Sequence, residues 1–377
     1  MNRTLLYERS ATEAVRPGCL TVATSAVHPE RGAVRCSAAP LVAADLERLG
    51  HSAYPAPLTL TPTPGAGRPG DGAGSAVVFA ATYVDVDGTV AGVAVAGPAD
   101  LGADVLGAAE RSVREWAALF RTRRLLIAET AATCSGKEAA SGTEEASGTE
   151  AAASCAGAAR TRETVAEFLR RGDTVVRIGS GEPDRGGPAG PRGGDGPERL
   201  VAFDSTREVE RQLTRLRAVA DPESVSFVVR PCTPVDDVVP AVRALREAFP
   251  RLRGQHPDQW CYRSADRRDA LRALSAASDV VLLLDRPDPV LLAGLPGPAA
   301  VRPVAAVRDI RREWLAGRAT VGVVAGPGAS AGLLAEVTEA LSGLGPYSVV
   351  RQEAHRRVVG RGSGHLPQQG GRSAVWR

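Results

Sequence analysis

From Leu200 onward the chain alternates short apolar runs with longer amphipathic ones, and that rhythm restricts the fold more than any other feature. Val225 to Val229 reads as a strand, and a helix follows with Val242, Leu245 and Phe249 on one face, capped by Asp236 or Asp237. After Cys261 a second helix carries Ala270, Leu271 and Leu274, and the strand Asp279 to Leu284 comes next. The run Ala319 to Val324 is a further strand, then a Gly-rich turn, then a helix from about Ala331 to Leu341. Strands separated by helices of this length imply α/β architecture with parallel sheets.

The first 120 residues read as a separate small α/β extension. Two β-rich runs, Ala76 to Val86 and Thr89 to Ala96, flank Asp87-Gly88, a hairpin signal. Asp100 is placed to cap a helix with Val105, Ala108, Val113, Trp116 and Leu119 on one face. Nothing in this extension suggests chemistry. A second unit begins with the strand Arg124 to Ala128 and runs into Cys134, followed by a Ser/Gly/Thr/Glu repeat at 141–151. A helix near Thr161 to Arg171 and a strand, Thr174 to Ile178, precede a Gly/Pro-rich loop at 179–197. The expected organisation is an extension at 1–120, a main domain at 121–345 and a largely disordered tail at 346–377.

Charge excludes some partners. A formal +3 over 377 residues points to neither nucleic acid nor membrane. The beginning of the chain has no secretory-type apolar core, and no apolar run reaches the ~20 residues of a membrane span, so the expected setting is cytoplasmic. There, six scattered cysteines (19, 36, 134, 155, 232 and 261) without a C-x-x-C pair read as free, metal-bound or redox-active rather than as disulfides.

Six landmarks in the second half occur in one order: Val235-Asp236-Asp237, Ala248-Phe249-Pro250, Asp258 to Arg268 around Cys261, Ser278 to Leu284, Glu313-Trp314-Leu315-Ala316-Gly317, and Thr320 to Val323. Together they resemble the 4-hydroxy-3-methylbut-2-enyl diphosphate reductase (LytB-type iron–sulfur) family. In the first half, Arg124 to Ala128 before Cys134 resembles the strand ahead of the family's first cluster cysteine. Ala153-Ser154-Cys155 resembles its second motif, although Cys155-Ala156-Gly157 also resembles the first. Residues 1–120 lie outside the resemblance.

The resemblance implies pseudo-repeated parallel-sheet units around a central cavity, one of them truncated between Cys134 and Cys155. It implies a 4Fe–4S cluster on Cys134, Cys155 and Cys261, an allylic diphosphate substrate, and a ferredoxin or flavodoxin donor. Cys19 and Cys36 read as structural thiols and Cys232 as a bystander. The chain departs from the family at the substrate site. Ile178 to Arg185 contains no histidine and puts Arg185 at the acid's place, leaving Glu182 or Asp184 as substitute proton donors. Where the family grips diphosphate, Asp285-Arg286-Pro287-Asp288-Pro289 offers Arg286 between two carboxylates. The turn Val323 to Ser330 remains able to face an anion with Ser330 and backbone N–H groups. The five histidines match no family position and read as surface or loop residues. Two functions stay open: a reductase with much of its substrate site lost, and a noncatalytic homologue that binds or senses.

Overall fold

The structure, a computed structural model, describes residues 6–12, 15–61, 76–130, 156–179, 199–203, 206–231, 233–284, 300–326, 329–330 and 332–354. The fold is α/β with parallel sheets, as the alternation predicts. The chain packs as two compact units, one from residues 1–128 and 271–351, the other from 129–270 and 352–377.

Unit 1 holds two sheets. The first has the order β1-β5-β6-β3-β2-β4, with β1 at Leu6–Thr12, β2 at Leu20–His28, β3 at Gly32–Arg35, β4 at Ala53–Thr59, β5 at Ala76–Val84 and β6 at Val90–Pro98. Strands β5 and β6 form the expected hairpin, Val84 opposite Val90, and Asp85 N–H donates to the Thr89 carbonyl at 2.8 Å. Gly88 supplies the turn's left-handed residue, φ 82°. The sequence reading found β5 and β6 but not β1 to β4.

The second sheet runs β13-β12-β14-β7-β15, with β7 at Arg123–Thr130, β12 at Val280–Leu284, β13 at Ala300–Pro303, β14 at Thr320–Ala325 and β15 at Tyr347–Ala354. Pairs β13–β12, β12–β14 and β14–β7 are parallel. Every residue of β12 is buried, as expected of an apolar run covered on both faces of a parallel sheet. One apolar core joins the two sheets across residue 120: Leu20, Phe79 and Val95 belong to the same cluster as Leu125, Leu282 and Val323. Helices α1 (Ala39–Arg48) and α2 (Ala103–Ala117) line it, α2 through the fully buried Trp116. Asp100 does not cap α2; the N-cap is Gly102, because the chain first turns back with Leu101 N–H on the Pro98 carbonyl.

Unit 2 is built on one four-stranded sheet, β11-β10-β8-β9, in which β8 is Thr174–Ile178, β9 Leu200–Phe203, β10 Val225–Val229 and β11 Arg253–Gly254. All its pairs are parallel. Its core gathers Ile178, Phe203, Phe227, Leu245 and Phe249. At the N-terminal end of the sheet, Asp173 is 1% exposed, accepts the Ser226 hydroxyl and faces Arg253 at 3.4 Å. Among the described residues, no helix is long and apolar enough to cross a membrane.

Candidate functional site

Strand order reverses at β8. From β8 the chain goes to β9 on one side, and then returns to β10 on the other. Loops that leave adjacent parallel strands in opposite directions open a crevice at the strands' C-terminal ends, where α/β proteins commonly bind ligands. Gly179 ends β8 at φ 131°, donating its N–H to the Phe203 carbonyl at 3.0 Å. Arg230 ends β10, its N–H on the Ile178 carbonyl at 2.9 Å.

Beside them lies Thr233, 6% exposed, whose hydroxyl has no hydrogen-bond partner among the described residues. A Cβ on Gly179 would stand 2.0 Å from Thr233 Oγ1, so only glycine lets the two approach. The helix Val235–Ala248 starts immediately after, with Pro234 at its N-cap and no side-chain cap bond. The expected caps, Asp236 and Asp237, instead lie in the first turn, because proline's fixed φ starts the helix earlier. Arg268, 9% exposed, holds Asp237 through two hydrogen bonds of 3.2 and 3.0 Å. An unoccupied buried hydroxyl beside a helix N-terminus can accommodate an anion. The sequence places Pro231-Cys232-Thr233-Pro234 where the resembled family has a threonine-rich stretch, but gives Thr233 no role of its own.

Cys261 occupies a braced turn in the same unit. Gln255, 4% exposed, accepts the Val229 N–H at 3.1 Å and donates to the Gln259 carbonyl at 3.4 Å. The Trp260 indole N–H donates to the Gln255 carbonyl at 3.3 Å, and the Tyr262 hydroxyl to the Pro257 carbonyl at 3.2 Å. Residues on both sides of Cys261 are thus pinned, and its half-buried thiol is not in a disulfide. Among the described residues no three His, Cys, Asp or Glu side chains form a metal-binding group. Cys134 and Cys155 lie outside the described residues, as do Cys232, Glu182, Asp184 and Arg286.

Ser330 is exposed in unit 1, between β14 and the helix Leu333–Ser342. Its carbonyl accepts the Leu333 N–H at 3.2 Å, and Gly332, not Ser330, is the N-cap. Burial pushes the Cys36 thiol up to about 12, which keeps it protonated and structural. Cys19 is half-buried, with its thiol 3.7 Å from the Arg16 carbonyl.

His28 corrects the surface reading of the histidines, being only 4% exposed. Its Nδ1 accepts the N–H groups of Glu30 and Arg31, both at 3.1 Å, closing the β2–β3 turn. Its Nε2 lies 2.5 Å from Glu8 Oε1, close enough for an ion pair but off hydrogen-bond alignment.

Comparison with known proteins places these residues in context. Residues 134–342 match the family described as LytB protein. A 4-hydroxy-3-methylbut-2-enyl diphosphate reductase of Hahella chejuensis is 28% identical over 216 residues, 55% of this chain and 64% of the relative. The enzyme of the same name from Psychromonas ingrahamii is 31% identical over 202 residues, 51% of this chain and 61% of the relative. The chain therefore spans less than two thirds of the length of these relatives. Among solved structures, the E-1-hydroxy-2-methyl-but-2-enyl-4-diphosphate reductase from Plasmodium falciparum aligns with a TM-score of 0.39 and 13% identity, covering 57% of this chain and 66% of that one.

Proposed function

The chain belongs to the LytB protein family, and from that premise we propose that it is a diverged 4-hydroxy-3-methylbut-2-enyl diphosphate reductase that carries a 4Fe–4S cluster on Cys134, Cys155 and Cys261 and turns over slowly. Its substrate is the allylic diphosphate, its products are isopentenyl and dimethylallyl diphosphates, and its electrons come from a ferredoxin or flavodoxin. Held by these three thiolates, such a cluster would supply electron transfer and an iron open to the substrate's hydroxyl.

The observation that carries this reading is Cys261, a half-buried thiol pinned between Trp260 and Tyr262 inside the matched segment. The resemblance offers Ser330 and Arg286 to the diphosphate. Slow turnover follows from the proton donor. Arg185 stands at the acid's place, so Glu182 or Asp184 must deliver the proton from a displaced position. General acids typically contribute about 10²–10⁴-fold in rate. A second reading, a noncatalytic binding or sensing homologue, is favoured by Asp285 and Asp288, whose charges oppose a diphosphate.

The test begins with anaerobic reconstitution. Wild type takes up iron and sulfide, Cys261→Ser loses most of both, and Cys232→Ser matches wild type. Equal iron in wild type and Cys261→Ser would remove the ligand assignment. Substrate consumption with a chemical reductant then separates the two readings: slow turnover supports the reductase, and none supports the noncatalytic homologue.

A further inference from the structure

A cavity of about 490 Å³ opens in unit 1, well apart in sequence from the Cys261 turn, and the family resemblance assigns it nothing. One wall is the last turn of α1, with Ala44 and Arg48, from the region outside the family match. The other is the end of β13 and the segment that follows it, with Pro303, Arg308, Arg311 and Trp314.

The two walls are tied together. Arg48 donates to the Arg308 carbonyl at 2.8 Å and to Asp45 at 3.2 Å. Asp45 also accepts the Trp116 indole N–H at 3.1 Å and faces Arg312 at 3.5 Å, so its charge is offset. Asp309, one of two carboxylates in the lining, has Oδ2 occupied by the N–H groups of Ala305 and Ala306 at 2.9 and 2.8 Å. The other is Glu47. Against these, the guanidinium groups of Arg308 and Arg311 have no hydrogen-bond or ion-pair partner among the described residues. Trp314, also in the lining, has a half-buried indole, with the Arg302 guanidinium over one face of the ring at 5.6 Å from its centre.

We propose that this cavity binds a small phosphomonoester carrying a planar unsaturated group. Two guanidinium forks match the geometry and charge of a phosphate. An indole face takes a planar group by stacking, whatever the identity of that group. Glu47 opposes a bare polyanion, which selects a ligand whose far end is uncharged. The proposal goes beyond the reductase reading and uses none of its residues.

Calorimetric titration of the full chain tests it with three probes: adenosine monophosphate, dimethylallyl monophosphate and inorganic phosphate. At least one organic probe should bind saturably and more tightly than inorganic phosphate, and the arm that does so identifies the source of the planar group. The double variant Arg308→Ala/Arg311→Ala should weaken that probe by roughly tenfold or more. Trp314→Leu should weaken it by roughly tenfold while leaving inorganic phosphate unchanged. Glu47→Gln should tighten inorganic phosphate. Thermal midpoints are measured beside each titration, and both arginines are exposed, so the double variant should unfold with wild type. Saturable binding by none of the probes, or equal affinity in wild type and the double variant, would overturn the proposal. Iron content is measured on the same samples; its absence throughout would count against the cluster reading and leave this one standing.

Discussion

Unit 1 buries Trp116, Tyr83 and a common apolar core between two sheets, whereas unit 2 rests on a single four-stranded sheet with a carboxylate, Asp173, sealed at its N-terminal end. In unit 1 the apolar surface is ample and carries buried polar groups both with and without partners: Asp45 is satisfied by Trp116 and Arg48, while the Thr21 and Ser112 hydroxyls have no hydrogen-bond partner among the described residues. In unit 2 a smaller core is supplemented by a polar lock at one end of the sheet, and an unsatisfied hydroxyl, Thr233, is left at the other. The contrast within unit 2 is one of polar satisfaction: the Asp173 carboxylate holds the strands' N-terminal end with its partners, and the Thr233 hydroxyl lies at their C-terminal end with none among the described residues.

The largest expected effect tests the apolar half of that comparison. Trp116→Ala removes a fully buried indole and its bond to Asp45, and should cost about 3–5 kcal/mol in chemical denaturation. A loss below about 1 kcal/mol would mean that the shared core does not hold unit 1 together.

Next comes the polar lock. Asp173→Ala leaves the buried Ser226 hydroxyl without its acceptor and Arg253 with the Glu223 carbonyl but no carboxylate, and should cost about 3 kcal/mol in unit 2, seen as faster proteolysis of that unit. An unchanged digestion rate would show that apolar packing alone secures the sheet.

Gly179→Ala addresses the crevice. A Cβ there would stand 2.0 Å from Thr233 Oγ1 on a left-handed backbone, for a cost of about 1–3 kcal/mol. Pairing it with Thr233→Ser, which deletes only the methyl, should leave most of that cost, because the clash is with the oxygen. Full relief in the double variant would relocate the clash.

The smallest effect is a pH dependence in unit 1. The backbone N–H groups of Thr320 and Ala319 donate to Asp279, both at 2.8 Å, and hold its carboxyl below the ordinary carboxylate range. A depressed folded value means that this stabilisation is present above the unfolded value, near 3.9, and is lost as pH falls through the folded one. Asp279→Asn should therefore cost about 1 kcal/mol at neutral pH, and its difference from wild type should shrink as the medium is acidified below that range. A difference that stays constant with pH would assign the effect to packing.

Much of the fold was legible because its strands are fully buried or joined by strong turns. Val280–Leu284 is an unbroken valine and leucine run, Val225–Val229 is three valines and a phenylalanine around one serine, and Asp87-Gly88 announces its hairpin. β2 was not legible, because an irregularity between Ala23 and Ala26 interrupts its alternation. β4 carries Pro55 and Pro57 and so reads as loop; its place at the sheet edge is what lets a strand hold them. The candidate site was half legible. Cys261 stands out within its motif, while Thr233 and Gly179 look like ordinary loop residues until the chain brings them together.

By itself the sequence determined the main strands and helices after Leu200 and the resemblance around Cys261. These depend on residue type and on periods of two or 3.6, which are local quantities. Only the tertiary structure decided that β2 and β14 share a core, that His28 is buried, and that the Thr233 hydroxyl meets Gly179 with no hydrogen-bond partner among the described residues. Each of these depends on which distant segments pack together, and long-range packing is set by the sum of many weak apolar contacts that no local pattern contains.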